Sequence, residues 1–328
     1  MAAVADRVVF QTREWLDFVA RTQNADPVVA AVLRDGERVG YFTGLVIRRL
    51  GVRILGSPFP GWTTASMGFT LPPGVSHRDA AAALPDFAFG PLRCLFVELV
   101  DRGIAPGELE GLGFDSEAHL TLEVDLSGDE TAIFDRMSSA CRRAVRKAEK
   151  SGVGVEVASG PGFAEEYYEQ LRGVFARQSL VPTYDLERVR ELIRCLEPSG
   201  DLLLLRCLAP DGRCIATSLF PAHDRTAYFW GGASQRTDQI LRPNEAMFWY
   251  AMRYWRERGV RVLDLAGASE FKRRFGGAEV WVPSFTRSRF RGLTSMRSLA
   301  QAAVQARQRW QGRRLAGVTA PEEPAKAG

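Results

Sequence analysis

Cysteine and histidine are scarce in this chain of 328 residues. The five cysteines (Cys94, Cys141, Cys195, Cys207, Cys214) form no CxxC pair, and an odd count argues against a disulfide framework. His77, His119 and His223 stand far apart, so neither residue type has metal-ligand spacing, and neither a metal centre nor a Cys–His nucleophile is expected. No apolar run reaches the roughly 20 residues that a membrane-spanning helix needs. The opening MAAVADRVVFQTREW has no signal-peptide core, which makes the cytoplasm the expected location. Excess charge is also small, at +4. Its distribution is uneven, however. Arg142, Arg143, Arg146, Lys147 and Lys150 share one predicted helix, and Arg287, Arg289, Arg291, Arg297, Arg307, Arg309, Arg313 and Arg314 crowd the C-terminal part. Basic clusters of this kind attract polyanions such as a nucleotide, tRNA or an anionic lipid surface. DNA is not among the expected partners.

The length suits two domains of ordinary size, and the chain shows one supersecondary plan twice. Residues Glu14–Arg21 pattern as a helix with Trp15, Leu16, Phe18 and Val19 inward. Val28–Arg34 reads as a buried strand, Asp35-Gly36 as a hairpin turn and Arg38–Arg49 as the returning strand. The aperiodic stretch Leu55–Phe69 predicts a long ordered loop, in which Phe59 and Trp62 are candidates to line an acceptor pocket. A helix over Ser76–Phe89 and strands over Arg93–Val100 and His119–Leu126 follow. Ser127 to Glu130 has capping-box spacing for a helix Glu130–Lys150, with Ile133, Met137, Cys141, Ala144 and Ala148 on its inner stripe. Pro161 opens a helix through Gln178, and Asp185 caps Leu186–Leu196. Leu202–Leu208, Asp211-Gly212 and Cys214–Pro221 then repeat the strand, turn, strand plan, which points to a duplicated fold. The predicted units are 1–126, 127–292 and a basic helix with a disordered tail over 293–328.

The stretch Thr226 to Gly277 holds most of the candidate chemistry. A strand Ala227–Trp230 runs out at Gly231-Gly232, where backbone can approach a ligand without a Cβ in the way. Pro243 and Asn244 open a helix that Gly259 closes, and its first-turn amides form an anion site. A second strand, Val260–Leu265, contains Asp264, and a short loop later Lys272, Arg273 and Arg274 cluster between Phe271 and Phe275. Two strands splayed beside a positive helix tip and fixed cations suit a phosphate-bearing acyl donor.

From about Ser127 to Gly277 the chain resembles the GNAT-superfamily acyltransferases of the FemAB and CelD-like type. The resemblance rests on MSSACRRAVRKAEKSGVGVEV, the hairpin around DGRCIATSLF, the segment LRPNEAMFWYAMRYWRERGVRVLDLAG and the FKRRFGG turn. It implies an α/β fold of two GNAT-like domains in tandem, each a mixed sheet flanked by helices, with the first domain degenerate and the catalytic cleft in the second half or between the halves. No sign of the long coiled-coil insertion of some members stands between Asp264 and Phe271.

The resemblance also implies transfer of an acyl group to a small-molecule or peptide amine in a ternary complex. No permanently bound cofactor is implied. The co-substrate is acyl-CoA, with aminoacyl-tRNA as the alternative donor. Lys272 corresponds to the lysine of the FK..FG turn, implied to contact a donor phosphate or acceptor or to steady the oxyanion. Arg273 shares that role at the donor. The Arg142, Arg143 and Arg146 helix then borders the substrate channel. Glu245 and Asp264 compete as general base for the incoming ammonium, and Tyr228 and Tyr250 are candidates to protonate the leaving group. QRTDQILRPN replaces the Gly-rich phosphate loop of the commonest acetyltransferases, so a pyrophosphate would lean on Arg236, Arg242 and the Asn244 end of the helix. A reading of another class is a non-catalytic envelope or polysaccharide-assembly protein, in peripheral contact with a membrane through the basic helix Thr294–Leu315.

Overall fold

The computed structural model describes residues 7–49, 51–160, 162–178 and 180–290. Pro161 and the basic segment from Arg291 through Thr294–Leu315 to the C-terminus therefore lie outside the described residues. In chain order the first half contains α1 (Arg13–Gln23), β1 (Asp26–Arg34), β2 (Glu37–Arg49), β3 (Val52–Ser57), β4 (Gly68–Thr70), α2 (His77–Phe89), β5 (Phe96–Leu99) and β6 (Asp115–Asp125). Then come α3 (Glu130–Arg136), α4 (Ser139–Lys150), β7 (Gly154–Ala158), α5 (Gly162–Ala176), α6 (Leu186–Leu196), β8 (Leu202–Leu208) and β9 (Cys214–His223). The chain continues through β10 (Thr226–Tyr228), β11 (Gly231–Ser234), α7 (Pro243–Glu257), β12 (Val262–Asp264), α8 (Glu270–Arg273) and β13 (Ala278–Ser288).

Hydrogen bonding joins the strands into one mixed sheet, in the order β1-β2-β3-β5-β13-β6-β12-β10-β9-β8-β7, with β4 on β2 and β11 on β9. The last strand is central: β13 pairs antiparallel with β5 from Phe285 to Ser288 and with β6 from Ala278 to Thr286. Helices α3, α4 and α7 cover a core that includes Leu122, Cys141, Val145, Phe248, Met252 and Phe275. The core of α1, α5 and α6 gathers Trp15, Phe18, Tyr167, Leu192 and Tyr228, so it takes side chains from both halves. A third core, with Phe42, Leu84, Val97 and Phe285, lies beneath α2. Arg188 of α6, 6% exposed, reaches into the first half and donates to the Trp62 carbonyl and, at 3.2 Å, to Thr63 Oγ1.

Several sequence expectations needed revision. β1 is an edge strand paired only with β2, and it is not buried: Val29 and Leu33, on the same face, are 62% and 60% exposed. The expected loop Leu55–Phe69 is strand at both ends, through Ser57 and from Gly68. The single helix Glu130–Lys150 is two, since Ser138 adopts an extended ψ of 150° and caps α4 by accepting from Cys141 N at 3.2 Å. Asp129, and not Ser127, caps α3, accepting from Ala132 N at 2.7 Å. The strand expected to end at Gly231-Gly232 instead resumes there as β11. No described helix is long and apolar enough to cross a membrane.

Candidate functional site

Two parallel strands part at the centre of the second half. β10 and β12 pair from Thr226–Val262 to Tyr228–Asp264, and the bond from Phe229 N to the Asp264 carbonyl, 2.8 Å, is the last between them. Beyond it each strand follows its other neighbour. Trp230 N donates to Leu219 O at 3.0 Å and β11 stays on β9, whereas Leu265 N donates to Leu122 O at 2.9 Å on β6. The wedge between them is aromatic: Phe248 of α7 lies 4.7 Å from the Phe229 ring and 4.7 Å from Phe275, with Phe271 at 5.9 Å.

A cavity of about 490 Å3 opens at this split. Phe229, Met247, Phe248 and Phe271 make its apolar wall, and Gly232 and Ser218 face it from β11 and β9. Arg177 and Gln178 contribute from the C-terminal end of α5, and Arg236 and Gln239 from the 3-10 turn after β11. Lys272 closes the set. Its half-buried ammonium donates to the Ala266 carbonyl at 2.8 Å and lies 5.3 Å from the Phe229 ring centroid. Burial lowers its pKa, and the Asp264 carboxylate acts in the opposite direction. The turn bearing Lys272 is held by backbone: Ser269 caps α8 through Lys272 N, and Ser138 N donates to Arg274 O at 2.9 Å. Gly276, at φ +76°, is required there, since a Cβ would stand 2.4 Å from the Arg136 carbonyl oxygen.

A second, smaller cavity of about 220 Å3 lies between α4 and the start of α7. Arg143, Lys147, Arg242 and Arg274 face it, with the buried Glu245 and Cys141 behind. Burial, then the neighbouring Glu245, pushes the Cys141 thiol up to about 12, which keeps it protonated and unreactive.

The structure thus brings Lys272, Gly232, Arg236 and Asn244 to one cavity, and Arg143, Arg242 and Glu245 to the other. Arg242, in a left-handed conformation, is the N-cap of α7, and Asn244 within its first turn donates its amide to Ser234 Oγ at 3.3 Å. The remaining candidates are engaged elsewhere. Asp264, 1% exposed, accepts from Arg102 Nη1 at 2.9 Å, from Thr121 Oγ1 at 2.6 Å and from Ala266 N at 2.8 Å. Tyr228 is buried against Phe10, ring centroids 4.4 Å apart, and burial raises its phenol pKa. Gly231 lies under the Tyr167 hydroxyl, 2.4 Å from where a Cβ would be, so it serves packing. Arg273 ion-pairs with Glu279, and Arg142 donates to the Asp135 and Met137 carbonyls, both at 2.7 Å, across the break between α3 and α4. Arg146 lies over Phe134, Tyr250 stacks on Tyr254, and Trp62 lies tilted against Phe59, ring centroids 4.8 Å apart. Sequence reading missed Arg177, Ser218 and Gln239 at the cavity and Arg102 behind Asp264. None of these lies in a recognisable motif, because strand splaying and a contact between halves bring them in.

Among the described residues no group of His, Cys, Asp and Glu is arranged to hold a metal ion. Residues 135–273 match the family model described as an acetyltransferase (GNAT) domain. Among solved structures, FemX superposes with a TM-score of 0.72 at 16% identity, over 88% of this chain and 94% of that one. L-PGS from Bacillus licheniformis gives 0.51 at 13% identity, over 89% and 96%. An Agrobacterium fabrum chain, provisionally described as the C-terminal domain of a lysylphosphatidylglycerol synthetase, gives 0.53 at 13%, over 90% and 92%. No curated protein matches the chain. Residues 135–273 are thus similar to a GNAT acetyltransferase domain, and the chain as a whole shares its fold with FemX.

Proposed function

We propose that the protein is an N-acyltransferase that moves an acyl group from a phosphate-bearing donor, acyl-CoA, to an amine. The observation that carries this reading is the split between β10 and β12, with Lys272 on its wall and arginines around it. A thioester carbonyl laid beside Lys272 develops negative charge as the amine adds, and a fixed ammonium stabilises that oxyanion. Addition forms the N–C bond; collapse of the resulting tetrahedral intermediate restores the carbonyl, breaks the C–S bond, and leaves the thiolate to take the proton given up by the amine. Arg177 and Arg236, both exposed, suit the donor's phosphates. The cavity's cations also disfavour a bound ammonium, so the acceptor is driven to its neutral, nucleophilic form without a dedicated carboxylate base.

A second reading, with an aminoacyl-tRNA as donor, is favoured by the smaller cavity. Four cations face it, and only Glu245 supplies a carboxylate there. Neutralising several phosphates with such a surface gives affinity that falls steeply with salt.

Melting of the full chain with acetyl-CoA, longer acyl-CoAs and total aminoacylated tRNA tests both readings. A ligand that binds only the folded state raises its stability. The first reading expects stabilisation by an acyl-CoA. Stabilisation by tRNA alone, weakening as salt rises, would replace it with the second.

A further inference from the structure

The wall of the larger cavity changes character with depth. At its rim Arg177, Arg236 and Gln239 are exposed. Around the half-buried Lys272 it is aromatic, formed by Phe229, Phe248 and Phe271. Phosphates belong with the exposed arginines, which leaves the aromatic part beside Lys272 for the group being transferred.

That inner part is poorly suited to a second positive charge. Lys272 donates only to a neutral carbonyl oxygen, Ala266 O, and Arg177 to another, Ser234 O at 3.4 Å, so neither bond cancels a charge. No carboxylate lines the cavity among the described residues. Of the acids on neighbouring elements, Asp264 is paired with Arg102 at 2.9 Å and Asp238 with Arg213 at 3.3 Å, Glu245 stands beside Arg242 at 3.9 Å, and Glu270 of α8 is exposed and does not line the cavity. An ammonium on the acyl group would lose its water, recover only part of that cost at the aromatic faces, and meet the charge of Lys272, whose neighbouring carboxylate, Asp264, is already held by Arg102. A methyl group of the same size loses nothing there, and a carboxylate finds Lys272.

Resting on the acyl-donor reading above, we propose that the transferred group carries no ammonium: the cavity takes neutral or carboxylate-bearing acyl donors and rejects aminoacyl donors of equal size. Lys272 is then a specificity determinant as well as the group facing the reacting carbonyl. Of the two donors considered above, the one with a free amine on its acyl group is the poorer fit.

Matched donors that differ only in that amine provide the test. Calorimetric titration of the full chain compares butyryl-CoA with β-alanyl-CoA, in which an ammonium replaces the terminal methyl, and lactyl-tRNA, in which a hydroxyl replaces the ammonium, with alanyl-tRNA. Near neutral pH the uncharged member of a pair that binds should do so at least about tenfold more tightly, as expected where a site specifies against an unpaired charge. The gap should narrow as pH rises and the donor amine loses its proton. It should also shrink in Lys272→Met, which removes the repelling charge and keeps the apolar wall. Equal affinity within a pair that binds, or a gap unchanged in Lys272→Met, would overturn the proposal while leaving the donor reading in place. If no member of either pair bound, the acyl-donor reading itself would be lost, and the inference with it.

Discussion

The ammonium of Lys272 stands 2.8 Å from the Ala266 carbonyl and 5.3 Å from the Phe229 ring, a placement that costs solvation and returns one hydrogen bond to a neutral acceptor. Such a group contributes little to folding, so its removal should register in turnover. Lys272→Ala is expected to lower kcat/KM by on the order of a hundredfold or more, the effect of losing an oxyanion donor. The melting temperature should fall by no more than about 4 °C, since one net hydrogen bond is worth about 1 kcal/mol. Steady-state kinetics and calorimetry on the same preparation check both. Asp264 predicts the opposite. Its carboxylate is 1% exposed and engaged by Arg102, Thr121 and Ala266 N. Asp264→Ala leaves the Arg102 charge partly uncompensated and should cost about 3 kcal/mol in urea denaturation. A variant of unchanged stability that had lost all turnover would reinstate Asp264 as the base.

At the level of elements, the short strand β11 keeps the site open by remaining with β9 once β10 has left β12. Its two glycines have different neighbours. A Cβ on Gly231 would stand 2.4 Å from Tyr167 Oη, a hydroxyl itself bonded to Tyr184 at 2.6 Å. Gly231→Ala should therefore destabilise by about 1–3 kcal/mol, the usual cost of overpacking, and leave donor KM near the parent value. A Cβ on Gly232 would lie 3.1 Å from the Phe229 ring on the cavity wall. Gly232→Ala should raise donor KM with a smaller loss of stability. Denaturation midpoints and KM values for the two variants check this crossing pattern, and identical behaviour would mean that both residues serve packing alone. The glycine pair is visible in the sequence, whereas the division of labour between its members depends on which neighbour each one touches.

For the whole molecule, the position of β13 decides how the halves behave. It is synthesised after the GNAT-matching segment and inserts between β5 and β6, so the sheet is continuous from β1 to β7. α1 packs on α6, and Arg188 crosses to the Trp62 loop. Halves joined in this way should unfold together. Far-UV circular dichroism and tryptophan fluorescence are expected to report one coincident urea transition. Two separated transitions would show that the central strands do not couple the halves. Removing residues 278–290 should abolish folding of both, because β5 and β6 would each lose a partner.

Local patterning was enough to place α1, α2, α6 and the two strand, turn, strand units to within a few residues, because apolar period and capping residues act over one or two helical turns. The FKRRFGG turn was also legible, since its aromatic and glycine residues answer to close backbone contacts. Folding alone settled that β1 lies at an edge, that Ser138 divides a basic helix, and that Asp264 meets Arg102, 162 residues away in the chain. These outcomes depend on which strands pair and which side chains meet across the sheet. Such contacts join distant parts of the chain and leave no periodic signal in either part.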